Sequence, residues 1–204
     1  MSISPDEITA VILAGGRGER MGGMDKGMLI LHEKPLVQHV IDAIEPHVQE
    51  ILINANRHVD YYSRLGYPVV EDILGDYFGP LVGMATGMQS AATPLLVSVP
   101  CDSPFIPSQL VATLYRALSE SGAEISIAHD GTRLQPVYAL LRCQLLPDLL
   151  AYLNDGGRKI DTWYGQHHMV TADFSAEADV FLNLNTPEDR QQLENKLAAC
   201  QEIS

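Results

Sequence analysis

The stretch Leu13-Ala14-Gly15-Gly16-Arg17-Gly18-Glu19-Arg20-Met21-Gly22-Gly23-Met24-Asp25-Lys26 follows the apolar run Ile8-Thr9-Ala10-Val11-Ile12 directly. Five glycines in fourteen positions are too many for a helix or strand interior, where each costs about 0.5 to 1 kcal/mol relative to alanine. The reading is a strand that runs into a loop of bare backbone amides, able to wrap closely around phosphate oxygens. Arg17, Arg20 and Lys26 add three cations within ten residues. Arginine grips phosphate with a planar fork and lysine acts as a mobile point charge, so amides and cations together suit a polyphosphate.

Two familiar glycine motifs fail here. A Walker A loop needs Ser or Thr after its lysine, but Gly27 follows Lys26. The dinucleotide fingerprint needs G-x-G-x-x-G, whereas Gly16, Gly18 and Gly22 are spaced G-x-G-x-x-x-G, and no acid ends the second strand to hold a ribose. Neither an ATPase of that type nor a nicotinamide enzyme is favoured.

Outward from the loop, Pro35 opens a helix through Leu36, Val37, Val40, Ile41 and Ile44, closed before Pro46. A second strand, Glu50–Asn54, and a third, Pro68–Val70, each run into polar residues, Asn54 in one case and Glu71-Asp72 in the other. Strand ends in an open parallel sheet face the ligand crevice, so Asn54 and Asp72 are site candidates, with a turn-forming Asn and a solvated loop acid as the bland alternatives. Gly79-Pro80-Leu81-Val82-Gly83 opens a small-residue helix to about Ala92, its glycines serving either close ligand approach or tight packing. Leu95–Val99 reads as a buried strand ending in Pro100-Cys101-Asp102-Ser103-Pro104. An acid between two prolines is stiffly held, which suits a metal ligand or a loop-stabilising Asp. Ser108 is the expected cap of the next helix, with Leu110, Val111, Leu114 and Leu118 on its apolar face.

In the second half, 123–129 and 135–141 read as strands around the Asp130-Gly131 turn, and 145–154 as a helix stopped by Asp155-Gly156-Gly157. Arg158 and Lys159 form a second basic spot at the start of a short helix toward Trp163. His39, His47, His167 and His168 read as surface residues. Val180–Leu184 reads as a last strand, with Asn183 and Asn185 on one face, before the Thr186-Pro187-Glu188-Asp189 helix start. The order builds an α/β fold: a Rossmann-like three-layer sandwich, with a mostly parallel sheet and an antiparallel strand or hairpin in the second half.

With 204 residues and 46% apolar composition, the chain suits one domain spanning 1–204. No apolar run is long enough to span a bilayer and the start lacks a signal-peptide pattern, so a cytoplasmic location without a membrane partner is the expectation. Thirteen basic against 26 acidic residues give a formal charge of −13, which argues against nucleic acid. An anionic substrate then needs a local cation cluster, with a bound metal's charge counted in it. Cys101, Cys143 and Cys200 are widely spaced with no C-x-x-C, and read as reduced thiols rather than a disulfide framework, a zinc site or a nucleophile.

The stretch 13–26 resembles, residue for residue, the L-A-G-G-x-x-x-R-M-G-x-x-D-K signature of the molybdenum cofactor guanylyltransferases. P-C-D-x-P at 100–104 and N-x-N-T-P-E at 183–188 extend the resemblance over nearly the whole chain, more weakly from 123 to 175. Where many relatives have H-P-T, this chain has Leu134-Gln135-Pro136-Val137, and no role is carried onto it. The resemblance implies a nucleotidyltransferase that moves GMP from GTP to molybdopterin and releases pyrophosphate. It implies Mg²⁺ on Asp102, Arg20 and Lys26 on the triphosphate, and GTP contacts from Leu13, Ala14, Gly15, Gly16, Lys26, Asn54, Asp72 and Asp102. Asn183 and Asn185 fall on the pterin side, and Arg158 and Lys159 either meet the anionic acceptor or lie in solvent. Other molybdenum cofactor biosynthesis proteins and acceptor molybdoenzymes are the further partners implied. The rival expectations are a related enzyme using CTP or UTP and a nucleotide-binding regulator without turnover.

Overall fold

The computed structural model describes residues 5–15, 25–75 and 79–181. Its centre is β1 (Ile8–Leu13), flanked in parallel by β4 (Glu50–Asn54) and β6 (Leu95–Pro100). A strand buried on both faces has no solvent side to pattern, so all three are near-continuous apolar runs. Beyond β4 lies the short β5 (Val69–Val70), and beyond β6 lie β8 (Leu134–Arg142), β7 (Ile125–His129) and β9 (Met169–Asp173), giving the order β5-β4-β1-β6-β8-β7-β9. Among the described strands of this sheet, only β8 runs against the rest. The expected parallel sheet with an antiparallel member in its second half is what forms.

Alternate side chains of β1 leave on opposite faces. Ile8, Ala10 and Ile12 join the layer of α1 (Leu36–Ile44), α2 (Val59–Ser63) and α4 (Leu110–Ser121), while Val11 joins that of α3 (Pro80–Ser90), α5 (Leu146–Asn154) and α6 (Ile160–Tyr164). In α1, Val37, Val40, Ile41 and Ile44 are all fully buried, each worth about 1.5 to 3 kcal/mol relative to exposure. The helix α3 is buried from Leu81 to Met88 and can lie this close to the sheet because of its glycines. A Cβ at Gly87 would meet Val11 at 3.0 Å, and one at Gly83 would meet Asn54 Oδ1 at 2.4 Å and Leu13 Cδ2 at 2.6 Å. Packing against the strand ends, rather than ligand approach, therefore fixes Gly83.

Several sequence expectations need correction. Pro35 precedes α1 in a two-residue strand, β3 (Lys34–Pro35), paired with β2 (Ile30–Leu31). Ser108 is not the cap of α4, whose first helical residue is Leu110 after Gln109, with no side-chain cap bond. Val180 and Phe181 lie in a 3-10 segment, Ser175–Phe181, rather than in a strand; 182–184 fall outside the described residues. The β7–β8 ladder jumps from Ile127 opposite Ala139 to Ala128 opposite Gln135. Pro136 thus falls in the extra residues, where no ladder hydrogen bond is asked of its nitrogen. His39 Nε2 donates to the Leu31 carbonyl, 2.9 Å away. His167 is covered by Trp163 and lies 3.0 Å from Asp148 Oδ2. Only His168 among the second pair is exposed.

Candidate nucleotide site

Because β1, β4 and β6 are parallel, their C-terminal ends share one edge, and the chain leaves β1 toward opposite sides of the sheet through β4 and β6. Such a switch point opens a crevice above the strand ends. Ala14 N–H donates to the Asn54 carbonyl at 2.8 Å and Cys101 N–H to the Leu13 carbonyl at 3.2 Å. These bonds pin the three ends together. The Ala14 amide is thereby committed, while the Leu13 carbonyl keeps a second lone pair. Gly15 lies beside them, where a Cβ would meet Asn56 Nδ2 at 3.3 Å and Asn54 Oδ1 at 3.4 Å. Gly16 and Arg20, with Arg17, Gly18, Gly22 and Gly23, fall outside the described residues, as do Asn183, Asn185 and Cys200.

On the β6 side, Lys26 Nζ donates to Asp102 Oδ2 at 2.8 Å, although 76 residues separate them. Asp102 is 9% exposed, so this carboxylate faces a cation within a largely dry loop. The loop is anchored by Phe105, which packs with Leu29 against Leu31 and Leu36. The other end of the lysine segment is held by Asp25. This buried carboxylate accepts from Tyr62 Oη at 2.6 Å and from Gly27 N–H at 3.1 Å. Burial, then the neighbouring Cys101 and Asp25, push the Tyr62 phenol far above its ordinary value, so it stays a donor. Gly27 is required for that contact, since a Cβ there would meet Tyr62 Oη at 2.6 Å. Tyr62→Phe leaves Asp25 one donor short and is expected to cost about 1 to 3 kcal/mol, read as a lowered Tm, with a raised KM for nucleotide because Lys26 is no longer held. Unchanged melting and KM would make the contact incidental.

Cys101 stands next to Asp102, yet burial first, then Asp102 and Asp25, raise its thiol well above the usual range. It is not a ready thiolate nucleophile. Among the described residues no three His, Cys, Asp or Glu side chains are grouped for a metal. Asp102 nonetheless fits Mg²⁺, which is commonly held by one or two carboxylates while water and substrate phosphates complete its shell. The ammonium on Asp102 marks the place where positive charge is stabilised.

On the β4 side, Asn54 is 3% exposed. Its Nδ2 donates to the Val70 carbonyl at 3.2 Å and to Asp72 Oδ1 at 2.8 Å. Asn54 and Asp72, expected separately from the sequence, thus meet. Asn56, which the sequence reading did not single out, joins them through Asp72; only its place two residues past the strand end hinted at this. Arg158 donates to the Leu153 and Gly157 carbonyls, both at 2.6 Å. It closes the end of α5, which accounts for that cation structurally.

With Lys26 on Asp102 at one side of the parallel strand ends and Asn54 on Asp72 at the other, the crevice suits an α/β nucleotidyltransferase. The fold matches the crystal structure of molybdopterin-guanine dinucleotide biosynthesis protein A from Archaeoglobus fulgidus, with TM-score 0.78, 21% identity, and coverage of 94% of this chain and 99% of that one. It also matches 4-diphosphocytidyl-2C-methyl-D-erythritol synthase from Anaerococcus prevotii, with TM-score 0.73, 12% identity, and coverage of 95% and 97%. Fold alone therefore does not choose the base. Sequence goes further: residues 10–170 match the MobA-like NTP transferase domain, and the chain belongs to that family. It is 47% identical over 192 residues to the molybdenum cofactor guanylyltransferase of Shewanella loihica, covering 94% of this chain and 98% of that protein.

Proposed function

We propose that this chain, acting as a single domain, is a molybdenum cofactor guanylyltransferase that uses GTP and Mg²⁺. An oxygen of the molybdopterin terminal phosphate forms a bond to the GTP α-phosphorus, the bond from that phosphorus to the bridging oxygen breaks, and the electron pair leaves with pyrophosphate. The attacking group is already an anion near neutral pH, so no strong general base is needed; the obstacle is to bring two anions together. The observation that carries the reading is Lys26 on Asp102 at the strand ends, in a chain 47% identical to a protein of that name.

In this reading Lys26, with Arg20, neutralises and orients the triphosphate, Gly15 and Gly16 approach it with backbone, and Asp102 holds the metal. Mg²⁺ supplies charge neutralisation at the phosphoryl oxygens when bound. Leu13, Ala14, Asn54 and Asp72 take the guanine end, and Asn183 and Asn185 the pterin side. No helix among the described residues is long and apolar enough to cross a membrane. In this reading the enzyme works in the cytoplasm and hands its product on to molybdoenzymes.

The test is pyrophosphate release with molybdopterin, Mg²⁺ and, in parallel, GTP, CTP or UTP. Release with GTP well above the others is expected. Turnover with CTP or UTP alone would make the chain a cytidylyl- or uridylyltransferase, and binding without release would make it a regulator.

A further inference from the structure

Three side chains at the β4–β5 edge are tied into one closed set. Asn54 uses its amide nitrogen on the Val70 carbonyl and on Asp72 Oδ1, both groups that only accept. Its own oxygen is therefore fixed on the other side, beside Gly15 and Gly83. Asn56 grips Asp72 twice: its Nδ2 donates to Asp72 Oδ2 at 2.6 Å, and its Oδ1 accepts from the Asp72 backbone N–H at 2.8 Å. That reciprocal pair fixes the Asn56 amide as well, because turning it over would set oxygen against oxygen and N–H against N–H.

We propose that Asn56 is a positioning residue for base selection: it locks Asp72, and through Asp72 the orientation of the Asn54 amide, so that this edge presents acceptor oxygens to the base. A wall of acceptors favours a purine with N–H groups on its N1 and N2 positions. The proposal rests on the guanine reading of Asn54 and Asp72 given above and adds what enforces it. Both carboxylate oxygens of Asp72 already take an amide donor, yet each keeps a lone pair for a ligand. The neighbours explain why rigidity matters. Gly83 and Gly15 pack directly against the Asn54 oxygen, where a Cβ would come within 2.4 and 3.4 Å of it, so a tilt of that amide would press on α3 and on the chain leaving β1.

The experiment compares GTP with inosine triphosphate, which lacks the 2-amino group, in the wild-type enzyme, in Asn56→Ala and in Asn56→Asp. The aspartate variant keeps the acceptor for the Asp72 backbone but loses the donor and faces one carboxylate with another. For Asn56→Ala, the expected result is a KM for GTP raised about tenfold, the size of one lost hydrogen bond to a charged group. Its kcat at saturating GTP is expected to change little, and its GTP-over-inosine preference to collapse toward unity; Asn56→Asp should move further the same way. Thermal melting of each variant identifies a folding failure. Retained preference in either folded variant, or a loss of kcat at unchanged preference, would overturn the role of Asn56. A wild-type enzyme indifferent to the 2-amino group would instead overturn the guanine reading itself.

Discussion

Replacing Asp102 with asparagine is expected to lower kcat by about 10²- to 10³-fold while leaving the melting temperature close to that of the wild type. The size follows from the charge: a metal at the reacting phosphoryl group supplies several kcal/mol of transition-state stabilisation, and each tenfold in rate is about 1.4 kcal/mol. Asparagine has nearly the same shape and can still accept from Lys26 Nζ, now 2.8 Å from the carboxylate. The loop's own anchor, Phe105 against Leu29, Leu31 and Leu36, is untouched. Activity is to be measured across a range of Mg²⁺ concentrations, with circular dichroism melts alongside. Wild-type kcat would move the metal to another residue.

The second large effect belongs to Lys26→Ala. The ammonium sits on the carboxylate that the proposed reaction gives to the metal, so in that reaction one cation has to give way to another. Removing it is expected to raise the KM for GTP by about 10- to 100-fold, since a charge-assisted phosphate contact is among the stronger hydrogen bonds. Affinity for Mn²⁺ in the absence of nucleotide, read by electron paramagnetic resonance, is expected to rise, because Asp102 is then left without its lysine. A raised KM accompanied by a fall in Mn²⁺ affinity would mean that Lys26 supports the loop rather than the ligand. The pair is mostly buried, at 26% and 12% side-chain exposure, so the cost of desolvating both charges offsets much of their attraction and its net contribution to folding stability is small.

The strands that shape the crevice were legible because burial on both faces leaves a continuous apolar run, as in Ile8–Leu13 and Leu95–Val99. Their polar ends, Asn54 and Asp102, were legible for the same reason: polarity resumes where the sheet stops. The strand β9 escaped notice because it is an edge, with Met169, Thr171 and Asp173 exposed and Ala172 its one buried residue, a pattern too weak to separate from a loop. The Asp25–Tyr62 contact spans 37 positions and has no local signature, and Asn56 becomes interpretable only once β5 brings Asp72 beside it. Ser108 failed as a cap because the chain makes another turn, with Leu110 N–H on the Pro107 carbonyl, before α4 begins. His167 looked like surface because adjacency to His168 says nothing of the Trp163 ring packed over it.

The chain's divergence from β1, through β4 to one side and β6 to the other, has an evolutionary corollary. Under the proposed function it puts base choice and phosphoryl chemistry in separate hands, with no strand shared between Asn54, Asn56 and Asp72 on the one side and Asp102 on the other. Substitutions can then retune which letter of the nucleotide alphabet is accepted while the reactive end is inherited intact, so a single ancestral scaffold could diversify into enzymes with different bases without having to reinvent its reaction.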